Sequence, residues 1–217
     1  MRSFEKIRGI AISRKGPNLD LPKESRNLRK TSDDRFLAEF TKRIFQAGFV
    51  WSVIEKKWPG FEKAFFNFDC EKCANIDPDY FEKLMVNSEI VRNRQKIESV
   101  ILNAEMIMKV SKEYGSFGIF LSSWSKDDQI GLMDYLKKNG SRLGGNSVQY
   151  GLRELGYDGF ILTNDVVRAL IREKIVDKEN ITSKKDLKAV QEAFNNWKKE
   201  TGLSYAQLSR ILAYSID

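Results

Sequence analysis

From Ser32 onward, apolar residues recur at intervals of three and four, the period of one helix face. Phe36, Phe40 and Ile44 form the first such stripe, with Ser32 placed to cap it and Asp33 and Asp34 in its first turn. Gly48 ends or bends that helix. A second helix is predicted from about Ser52 to Lys57 and is stopped by Trp58-Pro59-Gly60. Pro59 suits the first turn of the next helix, which runs through Phe66. Asp77-Pro78 reads as cap and first turn ahead of Phe81, Leu84 and Met85. The longest periodic stretch, residues 92–114, carries Ile97, Val100, Ile101, Ala104, Ile107 and Met108, and Gly115 terminates it. Shorter helices are predicted at 117–124 and 128–138. Thr163 or Asn164 caps a helix holding Val167, Leu170 and Ile171. Ser183 with Asp186 looks like a capping box before Leu187, Val190, Phe194 and Trp197, and Ser204 opens a last helix with Leu208, Ile211 and Leu212. Strict alternation is nearly absent, so the pattern predicts an all-α fold of about ten helices.

The first thirty residues break this pattern. Gly16-Pro17 and Leu21-Pro22 interrupt helical continuity, and nine basic residues stand against three acidic ones. The other 187 residues carry 28 bases and 27 acids, so nearly all of the chain's +7 sits at the start. We expect residues 1–30 to form a basic arm or irregular lobe with one short helix, and residues 31–217 to form the helical domain. The chain has no histidine, which excludes Ser-His-Asp and Cys-His catalysis and His-ligated zinc. Its two cysteines, Cys70 and Cys73, exclude a disulfide-dense scaffold and cannot complete a four-ligand zinc site alone. They read as two small core residues on a helix. Residues 1–12 lack the apolar run of a secretory signal, and no window reaches the ~20 apolar residues of a membrane span. A soluble protein of a reducing cell interior is expected, with no cofactor.

Three segments carry chemistry. Leu136-Lys137-Lys138-Asn139-Gly140-Ser141-Arg142-Leu143-Gly144-Gly145-Asn146-Ser147 places a glycine-rich turn between two helices, a helix-hairpin-helix at about 128–155. Gly144, Gly145, Asn146 and Ser147 would present free N–H groups to a phosphate, with Arg142 adding charge. An ordinary αα-turn fits the same residues. Asp165 stands 20 residues beyond Gly145 at the start of a helix, where a carboxylate could activate water or simply serve as a first-turn acid. Phe45-Gln46-Ala47-Gly48-Phe49-Val50-Trp51 combines aromatics with one amide. A flipped base needs both, although core packing uses the same residues.

The run from Asp33-Asp34-Arg35 through Gln46-Ala47-Gly48 and Trp51 resembles the 3-methyladenine DNA glycosylase I family. So do Phe65-Phe66-Asn67-Phe68-Asp69, Ile90-Val91-Arg92-Asn93-Arg94-Gln95-Lys96-Ile97 and the hairpin, so that the likeness covers about residues 33–170. The resemblance implies the all-α helix-hairpin-helix glycosylase fold and removal of damaged purines from DNA. It implies a base pocket at Glu39, Arg43, Phe45, Gln46, Phe49 and Trp51, and DNA contacts at Arg92, Asn93 and Lys96 beside the hairpin. It places Asp165 at the superfamily's catalytic position, with Asn164 as the adjacent registration. Ser147 stands where the superfamily's lyases carry Lys, which implies a monofunctional enzyme using water.

Two departures stand out. The family's terminal zinc site cannot form without histidine. Its base-recognising Glu, three residues before Gln46, is Arg43 here, and a guanidinium neither accepts a hydrogen bond nor pairs with a cationic base. Glu39 lies one turn earlier. The expected function is therefore hydrolysis of the N-glycosidic bond of an alkylated, 3-methyladenine-like purine flipped from duplex DNA. The chain is expected to act as a monomer in the bacterial cytoplasm, with Gln46 reading the base edge. A catalytically inactive DNA-binding relic and a helical protein–protein adaptor are the alternatives.

Overall fold

The computed structural model describes residues 2–23 and 25–216 and divides the chain into two compact units. Among the described residues there are twelve α-helices, two short 3₁₀ turns and no strand. They are α1 (Phe4–Lys15), α2 (Asp33–Gln46), α3 (Trp51–Ala64), α4 (Cys70–Ala74), α5 (Pro78–Val86) and α6 (Arg94–Tyr114). There follow α7 (Phe117–Ser123), α8 (Gln129–Asn139), α9 (Asn146–Leu155), α10 (Asn164–Arg172), α11 (Lys184–Thr201) and α12 (Tyr205–Tyr214). The all-α expectation and a helix number near ten hold. No helix among the described residues is long and apolar enough to cross a membrane.

The first unit comprises Met1–Ser25, Ser125–Leu132 and Gly156–Asp217. Residues 4–15, inside the basic N-terminal segment, form a three-turn helix whose Phe4, Ile7 and Ala11 are fully buried. They share a core with Phe160, Leu170, Phe194, Trp197 and Leu208. The spacing of these three residues, three and then four, gives α1 a narrow apolar stripe that its many charges conceal in the sequence. Its first orphan N–H, on Phe4, donates to the Glu200 carboxylate at 2.8 Å. Ser204 and Gln207 make the reciprocal capping box of α12. At α11, Ser183 alone accepts from the Asp186 N–H.

The second unit comprises Arg26–Trp124 and Met133–Leu155. Here α3 is a single helix with Pro59 inside it, not the two helices expected on either side of Trp58-Pro59-Gly60. The reason is packing. Trp58 stacks on Phe61 and on Phe68, and Phe61 stacks on Phe65, so continuity of α3 feeds one aromatic column. Glu55, whose carbonyl loses its helical partner to Pro59, is exposed. Gly60 permits the close approach, because a Cβ there would lie 2.5 Å from the Glu89 carbonyl oxygen. Ser32 makes no side-chain cap to α2. Asp33 instead reaches forward: its carboxylate accepts from the Phe117 N–H at 2.9 Å and from the Ser111 hydroxyl, which ties α2 to the start of α7.

Candidate functional site

The C-terminal half of α2 carries a polar chain. Arg43 Nε donates to Glu39 Oε1 at 2.6 Å, and Arg43 Nη1 donates to Gln46 Oε1 at 3.2 Å. Gln46 Nε2 in turn donates to Glu55 Oε1 at 3.0 Å, and Glu55 pairs with Lys42 at 2.9 Å. Helical spacing produces the first two links, since 39, 43 and 46 lie on one face. The third comes from α3. Burial pushes the Glu39 carboxyl above its ordinary value, against the pull of Arg43. Gln46 is buried, and both ends of its amide are engaged. It therefore orients Arg43 through one bond and is itself held by Glu55 through the other. Glu39 and Lys42 also line a cavity of about 330 Å³ together with Trp58, Glu62 and Glu154.

The turn between α2 and α3 is apolar and open. Phe49 is 40% exposed and Trp51 56%, whereas Phe45 is fully buried with its ring edge-on to Phe61. Phe45 thus belongs to the core. The Arg43 guanidinium carbon lies 6.0 Å from the centre of the Trp51 ring. Arg43, Gln46 and Trp51 are therefore neighbours, with Trp51 supplying an accessible aromatic face.

Lys96 fixes this turn from the N-terminus of α6. Its Nζ donates to the Ala47 carbonyl at 2.6 Å and to the Phe45 carbonyl at 3.3 Å, and it sits 4.5 Å from the centre of the Phe49 ring. These are carbonyls at the end of α2, which otherwise lack helical partners. Burial, and secondarily the nearby Arg142, push the Lys96 ammonium below its ordinary pKa. The family resemblance implies a DNA contact for Lys96. In the structure it is 7% exposed and holds the aromatic turn instead. Asn93 caps α6 by accepting from the Lys96 N–H at 3.1 Å, and Arg92 is exposed.

The hairpin occupies residues 140–145 between α8 and α9. Asn103 of α6 grips it at both ends of its amide: Nδ2 donates to the Ser141 carbonyl at 3.0 Å, and Oδ1 accepts from the Ser141 N–H at 2.8 Å. Arg142, at φ 59°, donates to the side chain of Gln95. Gly145 takes φ 74°, and Gly144, Gly145 and Asn146 are exposed at the start of α9. Ser147 follows in the first turn, half-buried. Nothing in the sequence pattern singled out Asn103, which sits among the core positions of a long periodic helix.

Asp165 lies in the first unit, exposed in the first turn of α10, with Thr163 capping that helix and Arg168 3.8 Å away. Cys73 is buried and donates to the Phe65 carbonyl at 3.2 Å. Burial pushes both thiols up to about 12, which keeps them protonated and unreactive at neutral pH.

Comparison with known proteins places these segments in a family. Residues 28–143, more than half of the chain, match the family model of methyladenine glycosylase. The DNA-3-methyladenine glycosylase of Haemophilus influenzae is 32% identical over 80 residues, which are 37% of this chain and 42% of that protein. The chain thus spans about two fifths of the length of the curated relatives it matches. Two solved structures share the fold. One is 3-methyladenine DNA glycosylase I from Staphylococcus aureus, with 24% identity, TM-score 0.52, and coverage of 63% of this chain and 81% of that one. The other is the 8-oxoguanine DNA glycosylase of Methanocaldococcus jannaschii, with 17% identity, TM-score 0.55, and coverage of 97% and 91%. The aromatic turn, the Arg43–Gln46 chain and α8 with the first residues of the turn after it, up to Leu143, fall inside the matched region, and the chain belongs to the methyladenine glycosylase family.

Proposed function

We propose that the protein is a monofunctional DNA glycosylase that releases a damaged purine from duplex DNA, alkylated purine being the class named for its relatives. One observation carries this reading: the Trp51 face stands open beside a fixed polar group, Arg43, within the family's own segment. A purine swung out of the duplex would stack on Trp51, with Phe49 beside it. The N–H groups opening α9 at residues 144–147 would hold a phosphate, and their pre-set turn keeps the entropy of doing so low. Arg92 and the basic residues of the N-terminal segment add sequence-independent attraction that weakens with salt. Water would add to C1′ as the C1′–N9 bond breaks, with the bonding pair leaving on the base and the proton of the water passing to the Asp165 carboxylate. Asp165 is the carboxylate proposed to orient that water and to stabilise the oxocarbenium-like sugar. Ser147, which has no amine, forms no Schiff base and so supports hydrolysis without strand cleavage. The protein is proposed to work as a monomer in the cytoplasm.

The test is mass spectrometry of free bases released from genomic DNA carrying methylated, deaminated and oxidised purines. Release of a damaged purine, lost in Asp165→Asn, is the expected result. No release of any base overturns the reading. Arg43 favours a second reading, a DNA-binding protein of the same fold without turnover. Tight binding to abasic duplex, unchanged in Asp165→Asn and without base release, would establish it.

A further inference from the structure

We infer that Glu55 is the residue that recognises the base at this site, its carboxylate accepting from the exocyclic amino group of a cationic alkylpurine stacked on Trp51. This rests on the glycosylase reading and adds a specificity-determining residue to it. The placement follows from α3. Trp51 opens that helix and Glu55 stands four residues on, so the two share one face. Side chains on a helix lean toward its N-terminus, which carries the Glu55 carboxylate back toward the indole. The Glu55 side chain is 51% exposed and Trp51 56%. A ligand on the indole therefore meets the carboxylate without any part of the core opening.

The carboxylate is also held in place. Oε1 accepts from Nε2 of the buried Gln46 amide at 3.0 Å, and Oε2 pairs with Lys42 at 2.9 Å. A carboxylate oxygen has two acceptor sites, so one on each stays available to a ligand. The neighbouring carboxylates are committed elsewhere. Glu39, its side chain 12% exposed, accepts from Arg43 Nε at 2.6 Å, and Glu154 of α9 stands 4.0 Å from Arg43 Nη2. Both offset the Arg43 guanidinium, which would otherwise repel a cation beside the indole. Alkylation of a ring nitrogen leaves a purine nucleoside positively charged and makes its amino group a stronger donor. A negatively charged group that only accepts answers both features. An undamaged purine lacks the charge, so Glu55 favours the damaged base over the normal one.

The experiment compares the full chain with Glu55→Gln, which keeps the side-chain length and an acceptor for Gln46 but removes the charge. NMR follows the Trp51 indole N–H, identified by its loss in Trp51→Phe, during titration with adenosine and with 1-methyladenosine, a cation at neutral pH. In parallel, mass spectrometry follows methylated purines released from methylated duplex DNA. The wild type should bind 1-methyladenosine about tenfold more tightly than adenosine, as one hydrogen bond to a charged group allows. In Glu55→Gln that ratio should fall toward unity and release of methylated purines should slow about tenfold. A merely structural role for Glu55 would weaken both nucleosides alike and leave the ratio where it was. No preference in the wild type, binding of neither nucleoside at Trp51, a ratio unmoved in Glu55→Gln, or release equally fast in that variant overturns the inference. If bases are released while the ratio stays unmoved, the glycosylase reading stands without Glu55. If no base is released while the preference is present and lost in Glu55→Gln, the glycosylase reading fails and the recognition by Glu55 stands.

Discussion

At the scale of single residues, the site is built from groups whose surroundings change their ordinary behaviour. Glu39 is one. Burial raises its carboxyl above the usual 4.5, so the native protein holds this proton more tightly than the unfolded chain does. Unfolding then releases a proton between pH 4.5 and the raised value. The contribution of Glu39 to stability is full below that window and is lost as pH rises through it. Urea titrations at a series of pH values should show this decline in the wild type and not in Glu39→Gln. Asn103 is another. Its two hydrogen bonds to Ser141 replace backbone pairing that a turn cannot supply, and Asn103→Ala leaves the Ser141 N–H and carbonyl without it. A loss of about 2 kcal/mol is expected, read from urea unfolding, with faster amide exchange in the hairpin. The pair Glu39–Arg43 was legible in the sequence, because four residues on a helix is contact distance. Asn103 was not, because its partner lies 38 residues away and no local pattern encodes the meeting.

Among elements, α3 shows how packing overrides local preference. Trp58-Pro59-Gly60 carries two helix-disfavouring residues, yet the helix passes through them. The aromatic column of Trp58, Phe61, Phe65 and Phe68 exists only if that passage is made. The same aromatics sustain a left-handed stretch at Phe66, Asn67 and Phe68, whose φ angles of 54°, 55° and 61° are unfavourable for residues with a Cβ. Arg35 Nη2 donates to the Asn67 carbonyl at 2.6 Å and helps to hold it. Gly60→Ala tests the cost of the close approach between α3 and Glu89. A Cβ 2.5 Å from a backbone oxygen forces one segment to move, and a destabilisation of about 2 kcal/mol is expected by thermal or urea unfolding. The hairpin was legible for the opposite reason. Its glycines answer a local backbone demand, seen at Gly145 with φ 74°, and local demands are written where they act.

For the whole molecule, the first thirty residues matter most. Read as a charge distribution they look like an arm, because nine bases crowd a segment broken by Pro17 and Pro22. In the structure Phe4 lies in the core of the first unit, 5.5 Å ring to ring from Trp197. Phe4→Ala should therefore cost about 3–5 kcal/mol, which differential scanning calorimetry would register as a large fall in transition temperature. A dispensable arm would show almost none. What the sequence determined unaided was whatever depends on near neighbours: the helical period, the caps at Asp77 and Ser204, the hairpin turn, the family, and the exclusion of histidine chemistry. Only the tertiary structure decided that Lys96 holds carbonyls, that Gln46 orients Arg43, and that α1 belongs to a core more than 150 residues further along the chain. The physical reason is common to all three. A buried polar or aromatic group is defined by the partner that satisfies it, and that partner is chosen by the fold rather than by position in the chain.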